Sequence, residues 1–300
     1  MKKFKKAAAV VISGVIALSF AGCNKKDAEN VSGSNTNISN EGEASQENKV
    51  LAASLKMQEV KSMTAQTDMD FSMTVDGETM DITSSGDMII FNDPLKLKMN
   101  MSQNIGEEIE IEYYMQSAEN GMVDMYFGNE EMGWNKQQVD MSYVEQLKGN
   151  TDYYLSYAES FESAGEDTVN GEKTEKFQGV MKAEDINEIL AETDLDSVVT
   201  SVGGDVSNLE NVFEGLEDIP MTIWISEESG YPVKYDMEIS QMLQVVMENT
   251  LAAYEGAEGM EEVPEINISN AKIVMTYSDF NEAEDFEIPA DIIENAVGIN

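Results

Sequence analysis

At 300 residues, 42% hydrophobic and a formal net charge of −40, the chain is long enough for a sizeable core and strongly acidic. All 18 basic residues are lysines, and there is no histidine or arginine. There is thus no imidazole for a Ser-His or Cys-His pair or a zinc site, no guanidinium for bidentate phosphate capture, and a surface that repels nucleic acid and anionic headgroups.

The N-terminus carries Lys2, Lys3, Lys5 and Lys6, then an uncharged stretch from Ala7 to Ala21, then Gly22 and Cys23. A basic segment, an apolar segment and a small residue are the parts of a secretory signal. This uncharged stretch of fifteen residues is short of the roughly 20 that span a bilayer. Phe20-Ala21-Gly22-Cys23 resembles a bacterial lipobox, with Phe20 where leucine is usual. The resemblance implies cleavage before Cys23, a diacylglycerol on its thiol, and an extracytoplasmic protein held at the cell membrane by that lipid. Cys23 is the only cysteine, and acylation accounts for a lone thiol in an exported chain. Removing residues 1–22 takes four lysines and no acids, leaving 14 lysines against 58 acids, or −44. The partner expected at this end is the membrane, reached through Cys23.

Residues 23–48 hold Val31 and Ile38 as their large apolar side chains. Such a composition cannot repay the entropy of ordering and reads as a tether, with an r.m.s. span of about 28 Å. From 49 to 300 a single domain is expected. Val50, Leu51, Leu55, Val60 and Met63 predict a helix from Lys49 to Thr64. The period then changes to two. Met69, Phe71, Met73 and Val75 alternate with polar residues up to an Asp76-Gly77 turn, and Met80 and Ile82 return. Leu95, Leu97, Met99 and Met101 form the next strand. Ile109, Ile111, Tyr113 and Met115 follow, alternating with Glu110, Glu112 and Tyr114. Asn120-Gly121 turns into Met122–Phe127 and on to Trp134. Consecutive hairpins of this kind predict an antiparallel sheet with one apolar and one wet face.

Ser142–Phe161 reads as an amphipathic helix, Asn170-Gly171 as a hairpin turn into Thr174–Met181, and Ala183–Glu192 as a short acidic helix. Residues 193–217 carry a loop signal at Gly203-Gly204. Pro220–Ser226 and Pro232–Ser240 form a hairpin across Ser229-Gly230. Gln241–Tyr254 is helical, Ile266–Tyr277 is a last long strand, and Pro289–Val297 closes with a helical turn. The fold class is α+β, with helices interrupting a largely antiparallel sheet.

Three kinds of site follow from these residues. The apolar sheet face is rich in methionine, which re-packs around irregular apolar guests or fills an ordinary core. Carboxylate pairs such as Glu108 and Glu110, or Glu227 and Glu228, could serve hydrolysis only across a cleft with separated pKa values. No calcium-loop motif appears, and no metal or cofactor is expected. Trp134 and Trp224 are either core pillars or ligand anchors.

The run Trp224-Ile225-Ser226-Glu227-Glu228-Ser229-Gly230-Tyr231-Pro232-Val233-Lys234 resembles the strand–Ser-Gly-x-Pro–strand hairpin of LolA/LppX-like lipoprotein domains. The order lipobox, tether, helix and strands with Gly-Trp-x-Lys is similar to a Gram-positive lipoprotein group of unknown function in that superfamily. Over residues 49–290 this implies a strongly curved antiparallel half-barrel with helices over its concave face. It also implies a lipid or other hydrophobic ligand in the hollow, against Met69, Phe71, Met73, Met99, Met101, Ile111 and Met115, with no catalysis. The alternatives are a non-catalytic surface interaction module with a filled core and an acidic binding face, and a carboxylate-only hydrolase.

Overall fold

A computed structural model describes residues 46–104, 106–141, 161–183, 213–253 and 265–298. The lipobox with Cys23, the tether, the Ser142–Phe161 helix apart from its last residue, most of the Ala183–Glu192 helix and the Gly203-Gly204 loop lie outside the described residues.

Twelve strands among the described residues form one open, curved sheet, mostly antiparallel and with few helices. Helix α1 (Gln46–Met57) leads into β1 (Ser62–Val75), β2 (Glu78–Asn92), β3 (Leu95–Asn104), β4 (Glu108–Ser117), β5 (Met122–Asn129) and β6 (Gly133–Asp140). Next come β7 (Glu162–Val169), β8 (Glu172–Met181), β9 (Ile219–Ser226), β10 (Pro232–Glu238), helix α2 (Ser240–Ala253), β11 (Ile266–Ser278), helix α3 (Ala290–Asn295) and β12 (Val297–Gly298). Their order across the sheet is β12-β6-β5-β4-β3-β2-β1-β11-β10-β9-β8-β7. Two meanders, β2–β6 and β7–β10, are thus joined where β1 pairs with β11, Met69 standing opposite Ile273.

The hairpin turns sit where the sequence places them. Asp76 and Gly77 have φ 51° and 84°, and Asn170 and Gly171 have φ 51° and 84°. Two successive positive φ values match the twist of the strands they join, which is why Asn-Gly and Asp-Gly are favoured there. The first helix is shorter than its apolar spacing predicts. It ends at Met57 in a turn where the Val60 amide donates to the Met57 carbonyl. Val60 and Met63 are buried, but Met63 belongs to β1, where its partner is Ile90. Two residues at helical spacing, Val60 and Met63, cannot outweigh a strand partner of this length.

One apolar cluster holds most of the core. Alternate residues of β1, β2, β3, β8, β9, β10 and β11 meet Val50, Ala53 and Met57 of α1 and Leu243 of α2 there. Both helices therefore pack on the apolar face of the sheet. Lys49 of α1 bonds Glu175 on β8 at 2.6 Å, and Lys56 donates to the Ser229 carbonyl while lying over the Tyr231 ring.

The opposite face carries a second, smaller cluster that alternation does not predict. Tyr114 and Tyr126 are buried there with Ile288 and Ile292, and Trp134 and Phe286 pack against them. The chain after β11 crosses this face. Lys96 holds it through Asp285 and the Phe286 carbonyl, and Val297-Gly298 pairs in parallel with Asn135-Lys136 of β6.

Candidate functional site

Strand alternation sorts the sheet's side chains into two faces, and hydrogen-bonded register then brings distant residues into rows. On the apolar face one row runs Ile273–Met69–Ser84–Gln103–Ile109. The next runs Met275–Thr67–Gly86–Met101–Ile111, and beyond it lie Ala65–Met88–Met99–Tyr113 and Met63–Ile90–Leu97–Met115. Phe71 faces Ile82, and Met73 faces Met80.

All seven residues expected to line a hydrophobic site lie in or against one cluster. Met69, Phe71, Met73, Met99 and Met101 are buried in it; Ile111 and Met115 are half-buried against it. Ten methionines are buried in this cluster and five more pack against it. Cover thins toward β4, where Tyr113 is half-buried and Ile109 is 37% exposed. Tyr113 stacks on Phe127 of β5 with ring centroids 6.1 Å apart, and burial pushes its phenol pKa up.

The other face is polar, with a cleft of about 290 Å³ between the tip of the β7–β8 hairpin and strands β1, β2, β3 and β11. Gln66, Asp87, Lys98, Asn100, Asn170 and Thr276 are among its lining residues. Asp68 stands near it, its pKa raised by burial and then by the charges of Asp70 and Asp87. One carboxylate lines this cleft, and the Glu108–Glu110 and Glu227–Glu228 pairs are exposed elsewhere. Trp134 and Trp224 are both on this face. Trp134 lies 6.0 Å from Tyr114; Trp224 is buried with Val169 and Val233, donates to Asp167 at 2.9 Å and carries Lys234 over its ring. They act as packing pillars on the side away from the methionines.

Sequence reasoning did not single out Ser84 and Gln103, two buried polar side chains within the apolar face. A signal was present: Ile82, Ser84, Gly86 and Met88 share one parity, as do Met99, Met101 and Gln103.

Among solved structures, the lipoprotein LppX of Mycobacterium tuberculosis aligns with a TM-score of 0.45 at 14% identity, covering 79% of this chain and 98% of that one. LprF from Mycobacterium bovis aligns at 0.44 and 12% identity, covering 81% and 96%. A putative outer membrane lipoprotein-sorting protein domain from Vibrio parahaemolyticus aligns at 0.21 and 8% identity, covering 77% and 89%. No curated protein matches the sequence. The model of a family of unknown function, DUF6612, matches residues 47–297, and the chain belongs to that family.

Proposed function

We propose that this protein is an extracytoplasmic lipoprotein, anchored through a diacylglycerol on Cys23, that binds or carries a hydrophobic ligand on the apolar face of its sheet. Residues 1–22 are its signal, 23–48 its tether and 49–300 its single domain. The envelope is Gram-positive, and the superfamily is the LolA/LppX-like one. Helices cover the concave side, and Met69, Phe71, Met73, Met99, Met101, Ile111 and Met115 meet the guest. The protein is not an enzyme.

The observation that carries this reading is the extended, methionine-rich apolar face, on which Met69, Phe71, Met73, Met99 and Met101 are buried while Ile111, Tyr113 and Met115 of β4 are half-buried. Methionine has three rotatable bonds and a polarizable sulfur, so it re-packs when a guest enters. A buried alkyl chain gains about 0.8 kcal/mol per CH₂, so about 16 carbons gain on the order of 10 kcal/mol before entropic costs. No charged anchor is required for such binding. With a charge of −44 after cleavage, the domain has no electrostatic hold on a bilayer, and the lipid on Cys23 supplies the attachment.

The test uses the full chain with Cys23→Ala, to keep its own lipid out of the measurement. N-phenyl-1-naphthylamine, an uncharged fluorophore, reports an occupied apolar site, and native mass spectrometry of extracts reports carried lipid. Met115→Trp should abolish fluorophore binding while costing the fold roughly 1–3 kcal/mol by overpacking. A parent chain that binds neither fluorophore nor lipid would sink the proposal.

A further inference from the structure

The apolar face contains one place where its chemistry changes. Ser84 on β2 and Gln103 on β3 are direct cross-strand partners, and both share the parity of the buried apolar residues around them. Opposite side chains in a sheet stand about 5 Å apart. Ser84 is 7% exposed and Gln103 is 9% exposed. Their surroundings are apolar: Met69 and Ile109 complete the row, with Ile82 and Met101 two residues away along β2 and β3.

Among the described residues neither side chain has a hydrogen-bond partner, and they do not bond each other. Among the described residues, the side-chain atoms sealed from solvent without a partner are Asn92 Oδ1 and Thr174 Oγ1. Ser84 and Gln103 are thus mostly buried while keeping a remnant of access. A carboxamide offers two donors and an acceptor, and a hydroxyl offers both. Burying that capacity unused is costly, so such groups are normally paired.

Next to this pair the face narrows. Gly86 lies two residues along β2, and a Cβ there would stand 3.3 Å from Thr67 Cγ2 and 3.7 Å from Met99 Sδ. The Thr67 methyl already fills the space over the backbone at Gly86, and Ser84 and Gln103 form the adjoining polar spot.

We propose that Ser84 and Gln103 receive an uncharged hydrogen-bonding group of the ligand, an ester or amide carbonyl or a hydroxyl, whose alkyl part lies on the surrounding methionines. The proposal rests on the hydrophobic-site reading above and narrows its ligand class to a neutral, oxygen-bearing lipid. A bare hydrocarbon leaves the amide unpaired. A carboxylate or phosphate brings a charge into a row whose members are isoleucine, methionine, serine and glutamine, with no cation among them. Lys96 and Lys98 of β3 have the opposite parity to Gln103 and project from the other face.

The experiment titrates the full Cys23→Ala chain, and the same chain with Gln103→Leu or Ser84→Ala, with three probes: methyl palmitate, octadecane and palmitate. Displacement of N-phenyl-1-naphthylamine reports each affinity. Gln103→Leu should weaken methyl palmitate roughly 5- to 10-fold relative to octadecane, the loss of about one neutral hydrogen bond, with a smaller relative loss for Ser84→Ala. Palmitate should bind more weakly than its ester in every chain. Gln103→Leu should also melt at a higher temperature without ligand, because an unpaired amide has been removed. A preference for the ester that survives Gln103→Leu, tighter binding of palmitate than of the ester, or a lower melting temperature would each overturn the proposal. If the fluorophore and octadecane bind and only the ester ratio fails, the hydrophobic site stands without this polar spot. If the fluorophore and octadecane fail in the parent chain, both readings fall.

Discussion

Gly128 of β5 offers a test of the sheet that depends on geometry alone. Its φ is 154°, and a Cβ added there would lie 2.1 Å from the Gly133 carbonyl oxygen and 3.1 Å from the Trp134 Cα. Those are backbone atoms of β6, the strand that Gly128 pairs with at Trp134. No rotamer change relieves the overlap, so Gly128→Ala must push β6 away by about 1 Å, beyond the reach of the ladder bonds beside it. Losing about two such bonds at ~1 kcal/mol each and adding ~1–3 kcal/mol of backbone strain gives roughly 3–5 kcal/mol. Gly77→Ala is the control. Its φ is 84° and no atom lies within 4 Å of the added Cβ. That substitution meets conformational cost alone, about 1–2 kcal/mol. Urea unfolding followed by tryptophan emission measures both, and Trp134, directly opposite Gly128, should also red-shift in the native baseline. Equal destabilisation of the two variants, to within about 0.5 kcal/mol, would refute this account of the β5–β6 contact.

Two further predictions concern charge. The Asp68 carboxyl is raised above its reference value of 3.8 by burial, then by Asp70 and Asp87. A raised carboxyl favours folding below its unfolded pKa, and that contribution is lost as pH rises through the folded pKa. Asp68→Asn should therefore melt at a higher temperature than the parent at pH 7, with the gap closing as pH falls toward 3.8; a gap that widens on acidification would contradict it. Glu175 is lowered from 4.5 chiefly by the Lys49 hydrogen bond, so its contribution is present above that value and lost as pH falls through the lower folded pKa. Lys49→Met should move the Glu175 titration, followed by carboxyl NMR, back up toward 4.5, and an unchanged titration would show that Ser163 alone sets it.

Much of the sheet is legible in the sequence because alternation and turn chemistry act locally. Asp76-Gly77 and Asn170-Gly171 need positive φ whatever surrounds them, and Met69, Phe71 and Met73 declare a buried face unaided. What escapes is set by partners far away in the chain. Tyr114 occupies a position that alternation marks as wet, yet it is buried because the chain after β11 lays Phe286, Ile288 and Ile292 over it. Strand β12 is two residues long, and nothing in Val297-Gly298 announces a parallel partner at Asn135. Strand β7, Glu-Ser-Ala-Gly-Glu-Asp-Thr-Val, lacks alternation because it is the sheet's edge, where a bulge and acidic side chains discourage further pairing. The methionines of the candidate site were visible as types and parity. The polar pair among them becomes conspicuous only once register sets Ser84 beside Gln103.

The join between β1 and β11 has a kinetic consequence. The two strands stand at the middle of the sheet, yet 190 residues separate Val75 from Ile266. Closing a loop of that length in one step costs on the order of 5 kcal/mol of chain entropy. Hairpins β1–β2 to β5–β6 and β7–β8 to β9–β10 can form from local contacts, so two half-sheets would assemble early and the central seam would wait for the C-terminal strand. Until residue 266 has emerged, Met69, Phe71 and Met73 have one sheet neighbour instead of two. If the chain is exported as proposed above, a seam that closes only after Ile266 has been made leaves the two half-sheets apart until the end of synthesis.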